Sequence, residues 1–170
     1  MIMNYKYYLF IIKNMSKLLV LDINGVICYR KRLNKGVIID NNDYEFIMIT
    51  NNIIYVRKGI INFINKCSKF YDIAIWSSSS KQCFARVINY IESKLDKPFV
   101  FKWYNEDIKC KEKDLNLIEL EYDYKIIVDD SLSKINKNKY YIHTSTYCET
   151  QKEDLNNILD ILLNFWLGIY

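Results

Sequence analysis

Proline and histidine each occur once and glycine four times in the 170 residues, and each scarcity removes a class of protein. So little proline and glycine excludes a collagen-like or low-complexity chain. Gly25, Gly36, Gly59 and Gly168 stand singly, so no Gly-rich loop opens a helix to cradle a dinucleotide. One imidazole, His143, cannot complete a zinc site with Cys28, Cys67, Cys83, Cys110 and Cys148, which are odd in number, far apart and without a Cys-x-x-Cys pair. They read as reduced thiols of a cytoplasmic or nuclear protein. His143 follows the apolar run Tyr140-Tyr141-Ile142 and reads as a strand-end residue. Long apolar runs are missing as well. The stretch from Tyr7 to Ile12 follows Lys6 but lacks a small-residue cleavage site and falls far short of a span of about 20 residues. No membrane anchor is expected. Nor is there a block of like charge: the net charge is +4 and lysine is scattered. Abundant Ile, Lys, Asn and Tyr is what an AT-rich genome produces, so the charge gives no strong nucleic-acid signal.

What is present is a chain that is 51% hydrophobic, long enough for one domain with a substantial core and too short for two ordinary ones. Residues 1–14 read as an N-terminal extension, upstream of a possible start at Met15, and residues 15–170 as the domain. Lys17-Leu18-Leu19-Val20-Leu21 is a continuous apolar run ending in Asp22, the pattern of a strand buried on both faces of a parallel sheet. Asp72-Ile73-Ala74-Ile75-Trp76 ends in Ser77-Ser78-Ser79-Ser80, and Lys125-Ile126-Ile127-Val128 ends in Asp129-Asp130-Ser131. Helical spacing appears at Ile60, Ile61, Phe63, Ile64 and Cys67, then at Phe84, Val87, Ile88 and Ile91. A last helix from Lys152 to Trp166 is expected to cover the sheet. Alternating strands and helices predict an α/β, Rossmann-like three-layer sandwich around a mostly parallel sheet. Between residues 26 and 57, short β-like pieces at 37–39, 46–49 and 53–56 predict a small hairpin flap and leave no room for a large cap domain.

In an open α/β sheet the ligand crevice lies outside the carboxyl ends of the strands. That crevice receives Asp22, Ser77 and the Asp129-Asp130 pair. Several carboxylates repel one another unless a cation sits between them, and hard oxygen donors suit Mg²⁺. Magnesium with a free carboxylate, a hydroxyl and a lysine is the equipment of phosphoryl transfer, where catalysis is mostly positioning and charge neutralisation. Lys113 is the candidate cation, with Lys109 and Lys111 as neighbours that could be mistaken for it.

These motifs resemble the haloacid dehalogenase superfamily, and within it the RNA polymerase II C-terminal-domain phosphatases and their NLI-interacting-factor-like relatives, over residues 17 to 166. Asp22-Ile23-Asn24-Gly25-Val26 is similar to the first motif, Asp-x-Asp-x-Thr, in an Asp-x-Asn-Gly variant. Arg57-Lys58-Gly59 resembles Arg-Pro-Gly, Trp76-Ser77 the second motif, Lys113-Asp114-Leu115 a Lys-Asp-Leu element and Val128-Asp129-Asp130-Ser131 the acidic fourth motif. The resemblance implies that Asp22 attacks phosphorus and binds Mg²⁺, with the backbone carbonyl of Asn24 as another metal ligand. Ser77 and Ser78 would contact phosphoryl oxygens, and Lys113 would stabilise the aspartyl-phosphate. Asp129 and Asp130 would hold metal and lysine, Asp130 more directly.

By the same resemblance the substrate is a phosphoserine or phosphothreonine protein segment such as the polymerase C-terminal domain. No feature of the sequence requires an oligomer. The departure is Asn24, which stands where the family has its general acid/base; positioned proton transfer contributes about 10² to 10⁴ in rate. Val26 replaces a threonine, a smaller change. A weak or inactive pseudo-phosphatase that binds a phosphorylated partner is therefore the alternative. A receiver domain gathers similar groups but in a different chain order.

Overall fold

The computed structural model describes residues 15–32, 46–49, 51–108, 111–148 and 155–169. The expected β-like piece at 37–39, the extension 1–14, Lys109, Cys110 and the first three residues of the expected last helix lie outside them.

Five strands form one sheet in the order β6-β5-β1-β7-β8. They are β1 (Lys17–Leu21), β5 (Asp72–Trp76), β6 (Lys102–Trp103), β7 (Tyr124–Asp129) and β8 (Tyr141–His143), and every pairing is parallel. All five residues of β1 are buried, as the unbroken apolar run requires of a strand covered on both faces. Successive side chains of a strand point to opposite faces, so β1 serves two cores. Leu19 and Leu21 join the larger cluster with residues of α1 (Ile60–Cys67), α2 (Lys81–Glu92) and α4 (Leu155–Leu167). Leu18 and Val20 join the smaller one with Trp76, Leu115, Ile118 and Ile135, beneath a 3-10 turn (Leu115–Leu117) and the short α3 (Leu132–Ile135). Ile60, Phe63, Ile64 and Cys67 of α1, and Phe84, Val87, Ile88 and Ile91 of α2, are the buried residues of those helices, at the three- and four-residue spacing of one face.

The insertion between β1 and β5 carries a second, antiparallel sheet in the order β2-β4-β3: β2 (Cys28–Arg32), β3 (Phe46–Ile49) and β4 (Asn52–Val56). A hairpin was expected here, and β3 and β4 supply it. The third strand, β2, reads Cys-Tyr-Arg-Lys-Arg and is buried only at its first residue, so its apolar signal is too thin to find by pattern. The chain reverses from one side of β1 to the other between β5 and β7. That topological switch point opens the crevice at the carboxyl end of β1.

Candidate active site

Register builds the floor of the crevice. β1 and β7 pair with Leu21 opposite Val128, so the residues that follow, Asp22 and Asp129, stand side by side at the carboxyl ends of the two strands. The backbone N–H of Asp22 donates to the Val128 carbonyl at 3.0 Å, extending the ladder by one bond. Both side chains are buried, Asp22 at 4% exposure and Asp129 at 0%. Lys113, 1% exposed, donates from Nζ to Asp22 Oδ1 and to Asp129 Oδ2, each at 2.5 Å. Two buried acids on one buried lysine make sense only as a unit.

The lysine is aimed by its backbone. Its N–H donates to the Lys134 carbonyl at 2.9 Å, and its carbonyl accepts from Asn138 Nδ2 at 2.7 Å. The same amide accepts the Leu115 N–H through Oδ1 at 2.8 Å. Asn138 is 8% exposed and went unnoticed in the sequence; one of two asparagines in a lysine-rich turn gives no periodic signal. Asp114 plays a local part, accepting the Asn116 N–H at the start of the 3-10 turn.

Asp129 spends its other oxygen, Oδ1, on the Ser131 N–H at 2.8 Å. Asp130 is half-buried. Its Oδ2 accepts from Thr146 Oγ1 at 2.7 Å, and its carbonyl lies 3.1 Å from His143 Nε2. Carboxylate oxygens of Asp22, Asp129 and Asp130 all lie within 4.8 Å of one another. Burial pushes the Asp22 carboxyl up to about 6, with Asp129 adding to the shift and Lys113 opposing it. Three carboxylates facing one buried lysine leave the cluster short of positive charge. An oxygen-rich, anionic set of this kind fits a hard divalent cation such as Mg²⁺, and Asp22, Asp129 and Asp130 are the side chains that would hold it.

The loop after Asp22 forms the near rim. Gly25, at φ +95°, carries the chain where a Cβ would stand 2.2 Å from Asp130 Oδ2. Its N–H donates to the Cys28 carbonyl at 2.8 Å, and its carbonyl accepts from the Tyr147 N–H at 2.7 Å. Asn24 is half-buried, and its Oδ1 accepts the Arg30 N–H at 3.1 Å. Arg57, buried at 3% exposure, donates from Nη1 to the Val26 carbonyl at 3.1 Å and lies over the Tyr147 ring, 5.2 Å from its centroid. The sequence motif pointed to Arg57 but gave it no role. Its role here is to clamp the loop that follows Asp22. Thr146 and Tyr147 were missed, because they follow β8 in a segment without periodicity.

On the other side, Ser77 leaves β5, its N–H donating to the Trp103 carbonyl at 2.8 Å and its Oγ accepting the Ser79 N–H at 3.1 Å. Ser77 is buried and Ser78 is exposed beside it. Of the residues singled out in the sequence, Asp22, Lys113, Asp129 and Asp130 thus form one contact cluster. Ser77, Ser78 and Asn24 stand on loops at the ends of adjoining elements.

A parallel five-stranded sheet flanked by helices, with a small antiparallel sheet inserted after its central strand, is a haloacid-dehalogenase-like fold. A family model described as NLI interacting factor-like phosphatase matches residues 17–166, and the chain belongs to that family. No curated protein matches it. Solved structures share its fold, two of them of Fcp1. One is fission yeast Fcp1, an RNA polymerase II CTD phosphatase, as an arginine-to-alanine variant bound to beryllium fluoride: TM-score 0.63 and 15% identity, covering 95% of this chain and 53% of that one. The other is Fcp1 described as an essential RNA polymerase II CTD phosphatase, with TM-score 0.63, 17% identity and coverage of 96% and 50%. The chain spans about half the length of these relatives, and at such identities the likeness is one of fold.

Proposed function

We propose that this chain is a Mg²⁺-dependent phosphatase that works through an aspartyl-phosphate on phosphorylated protein segments. The observation that carries the reading is the Lys113 ammonium held 2.5 Å from both Asp22 and Asp129, with Asp130 alongside. An Asp22 oxygen attacks phosphorus, the bond from phosphorus to the ester oxygen breaks, and that oxygen departs with the bonding pair and takes its proton from solvent. Water then attacks the phosphoryl group, which leaves as phosphate and frees the carboxylate. Splitting one displacement into two lowers each barrier. Lys113 offsets the charge that the carboxylate and the phosphoryl oxygens accumulate, Ser77 offers a hydroxyl at the neighbouring strand end, and Asn138 keeps the lysine in place. Bound Mg²⁺ supplies further neutralisation of phosphoryl charge.

A protein segment as substrate is supported by the small insertion between β1 and β5. Its described part is three short strands, with no large helical cap among the described residues. The test is hydrolysis of para-nitrophenyl phosphate with Mg²⁺. Turnover by the wild type and none by folded Asp22→Asn is expected, and equal rates for the two would end the catalytic reading.

A second reading is a pseudo-phosphatase that holds a phosphorylated partner without turnover. It is favoured by Asn24, an amide occupied as an acceptor of the Arg30 N–H. Binding of a phosphopeptide with no release of phosphate would establish it.

A further inference from the structure

Asp22 lies on the crevice floor at 4% exposure. Attacking and leaving oxygens stand roughly in line across phosphorus, so the leaving oxygen of a bound ester points outward, toward the rim. An alkoxide leaving there needs a proton. A phenolate, already stabilised, does not.

The acids beside the nucleophile have other engagements. Asp129 is fully buried, with one oxygen on Lys113 and the other on the Ser131 N–H. Asp130 accepts from Thr146, and Lys113 sits between two carboxylates. On the loop leading outward from Asp22, the first half-buried polar side chain is Asn24. Only its oxygen can accept the Arg30 N–H, which fixes the orientation of the amide and leaves Nδ2 as its donor. The anchor is itself braced. Arg30 donates from Nη1 to Cys83 Sγ at 3.2 Å and lies over the Phe84 ring, 5.7 Å from its centroid, on the helix that follows the serine loop. An amide held this way can donate a hydrogen bond to a developing oxyanion but has no proton to give up.

Resting on the phosphatase reading, we propose that Asn24 makes the site selective by leaving group. Phosphomonoesters of phenols, phosphotyrosine among them, are hydrolysed, because the leaving oxygen needs only the hydrogen bond. Alkyl esters such as phosphoserine occupy the same site and turn over slowly, because P–O cleavage there must release an unprotonated alkoxide. Enzyme and reader are then the same protein facing two leaving groups.

The experiment measures kcat/KM with Mg²⁺ for para-nitrophenyl phosphate, a phosphotyrosine peptide and a phosphoserine peptide, using wild type, Asn24→Asp and Asp22→Asn. Asn24→Asp keeps an oxygen for the Arg30 N–H and restores an acid. It should raise kcat/KM on phosphoserine by about 10² to 10⁴ and on para-nitrophenyl phosphate by less than about tenfold. An equal gain on both esters, or no gain on phosphoserine while Asp22-dependent turnover of the aryl ester persists, overturns the selectivity and leaves the phosphatase reading standing. No turnover of any ester above Asp22→Asn, on folded proteins, overturns both. His143→Gln should leave the phosphoserine rate as it is; a fall on that ester alone would give the proton to His143 and overturn the proposal. Should Asn24→Asp fail to fold, wild-type rates across phenyl phosphates of graded phenol acidity decide. A steep rise with acidity is expected, and a flat series overturns it.

Discussion

The floor and the rim of the crevice are held by different kinds of contact. On the floor, Lys113 touches Asp22 and Asp129 through charged side-chain atoms, all three residues at 4% exposure or less. Around the rim, backbone atoms carry the ties: Asn24 to the Arg30 N–H, Gly25 to Cys28 and Tyr147, Arg57 to the Val26 carbonyl. A charged floor responds to any change of residue type, since its buried acids share one lysine. A rim held by backbone tolerates one that keeps its acceptor. Asparagine can therefore occupy position 24 with the loop intact, and a change of chemistry there costs the fold little.

Replacing the nucleophile gives the sharpest break between the two regions. Asp22→Asn should cost roughly 10⁴-fold or more in kcat on para-nitrophenyl phosphate, on the scale of losing an attacking side chain, while far-ultraviolet circular dichroism stays unchanged. The same variant tests the electrostatics. The Asp22 carboxyl is raised in the folded protein from 3.8 to about 6, by burial first, so the folded state holds its proton longer than the unfolded chain does. Its contribution to stability is present below about pH 4 and is lost as pH rises through about 6. In metal-free buffer, Tm of the wild type should fall relative to Asp22→Asn between pH 4 and pH 7, and added Mg²⁺ should restore it. Parallel Tm curves for the two proteins would count against the charge deficit.

Removing the lysine follows. Lys113→Met leaves two buried carboxylates without their shared partner, a loss of about 3–5 kcal/mol, equivalent to a Tm fall of about 6–20 °C for a domain of this size. Asp22, already raised by burial, then loses the cation that opposes that shift, so the loss should be larger at pH 8 than at pH 5. A fall of under 2 °C at pH 8 would show that the triad is not the keystone of the floor. At the rim, Gly25→Ala meets a φ of +95° and places its Cβ against Asp130. A cost of about 1–3 kcal/mol is expected, read as lower Tm together with weaker Mg²⁺ binding by titration calorimetry.

The same division decided how much the sequence disclosed. Strands β1, β5 and β7 are apolar runs cut off by polar residues, and because ligands collect at such ends, Asp22, Ser77, Asp129 and Asp130 could be read directly. Lys113 came from a short motif and its spacing, and it lies where the acids need it. β6 has two residues and β8 three, too short for any period, and β2 is mostly a run of three basic residues. Asn138, Thr146 and Tyr147 act on backbone groups or on one carboxylate oxygen, and such bonds leave no mark in a linear pattern. Asn24 was visible as a departure from the motif, but its bond to the Arg30 N–H joins residues whose pairing the sequence did not reveal.

The smallest expected effect separates the two regions most finely. Thr146 stands on the rim yet its hydroxyl reaches the floor, donating to Asp130 Oδ2 at 2.7 Å. Thr146→Val keeps the shape and removes the donor. Because Asp130 is half-buried, solvent can take over part of the lost bond, and the stability cost should stay near 0.5–1.5 kcal/mol. The carboxylate would then be less firmly oriented toward Asp22 and Asp129, so metal affinity should suffer more than Tm. A partner that orients a ligand is commonly worth 10- to 100-fold in metal affinity, and a drop of about tenfold in the Mg²⁺ association constant is expected here. If Mg²⁺ affinity is unchanged while Tm falls, Thr146 braces the rim alone and Asp130 is held for the metal by its own backbone.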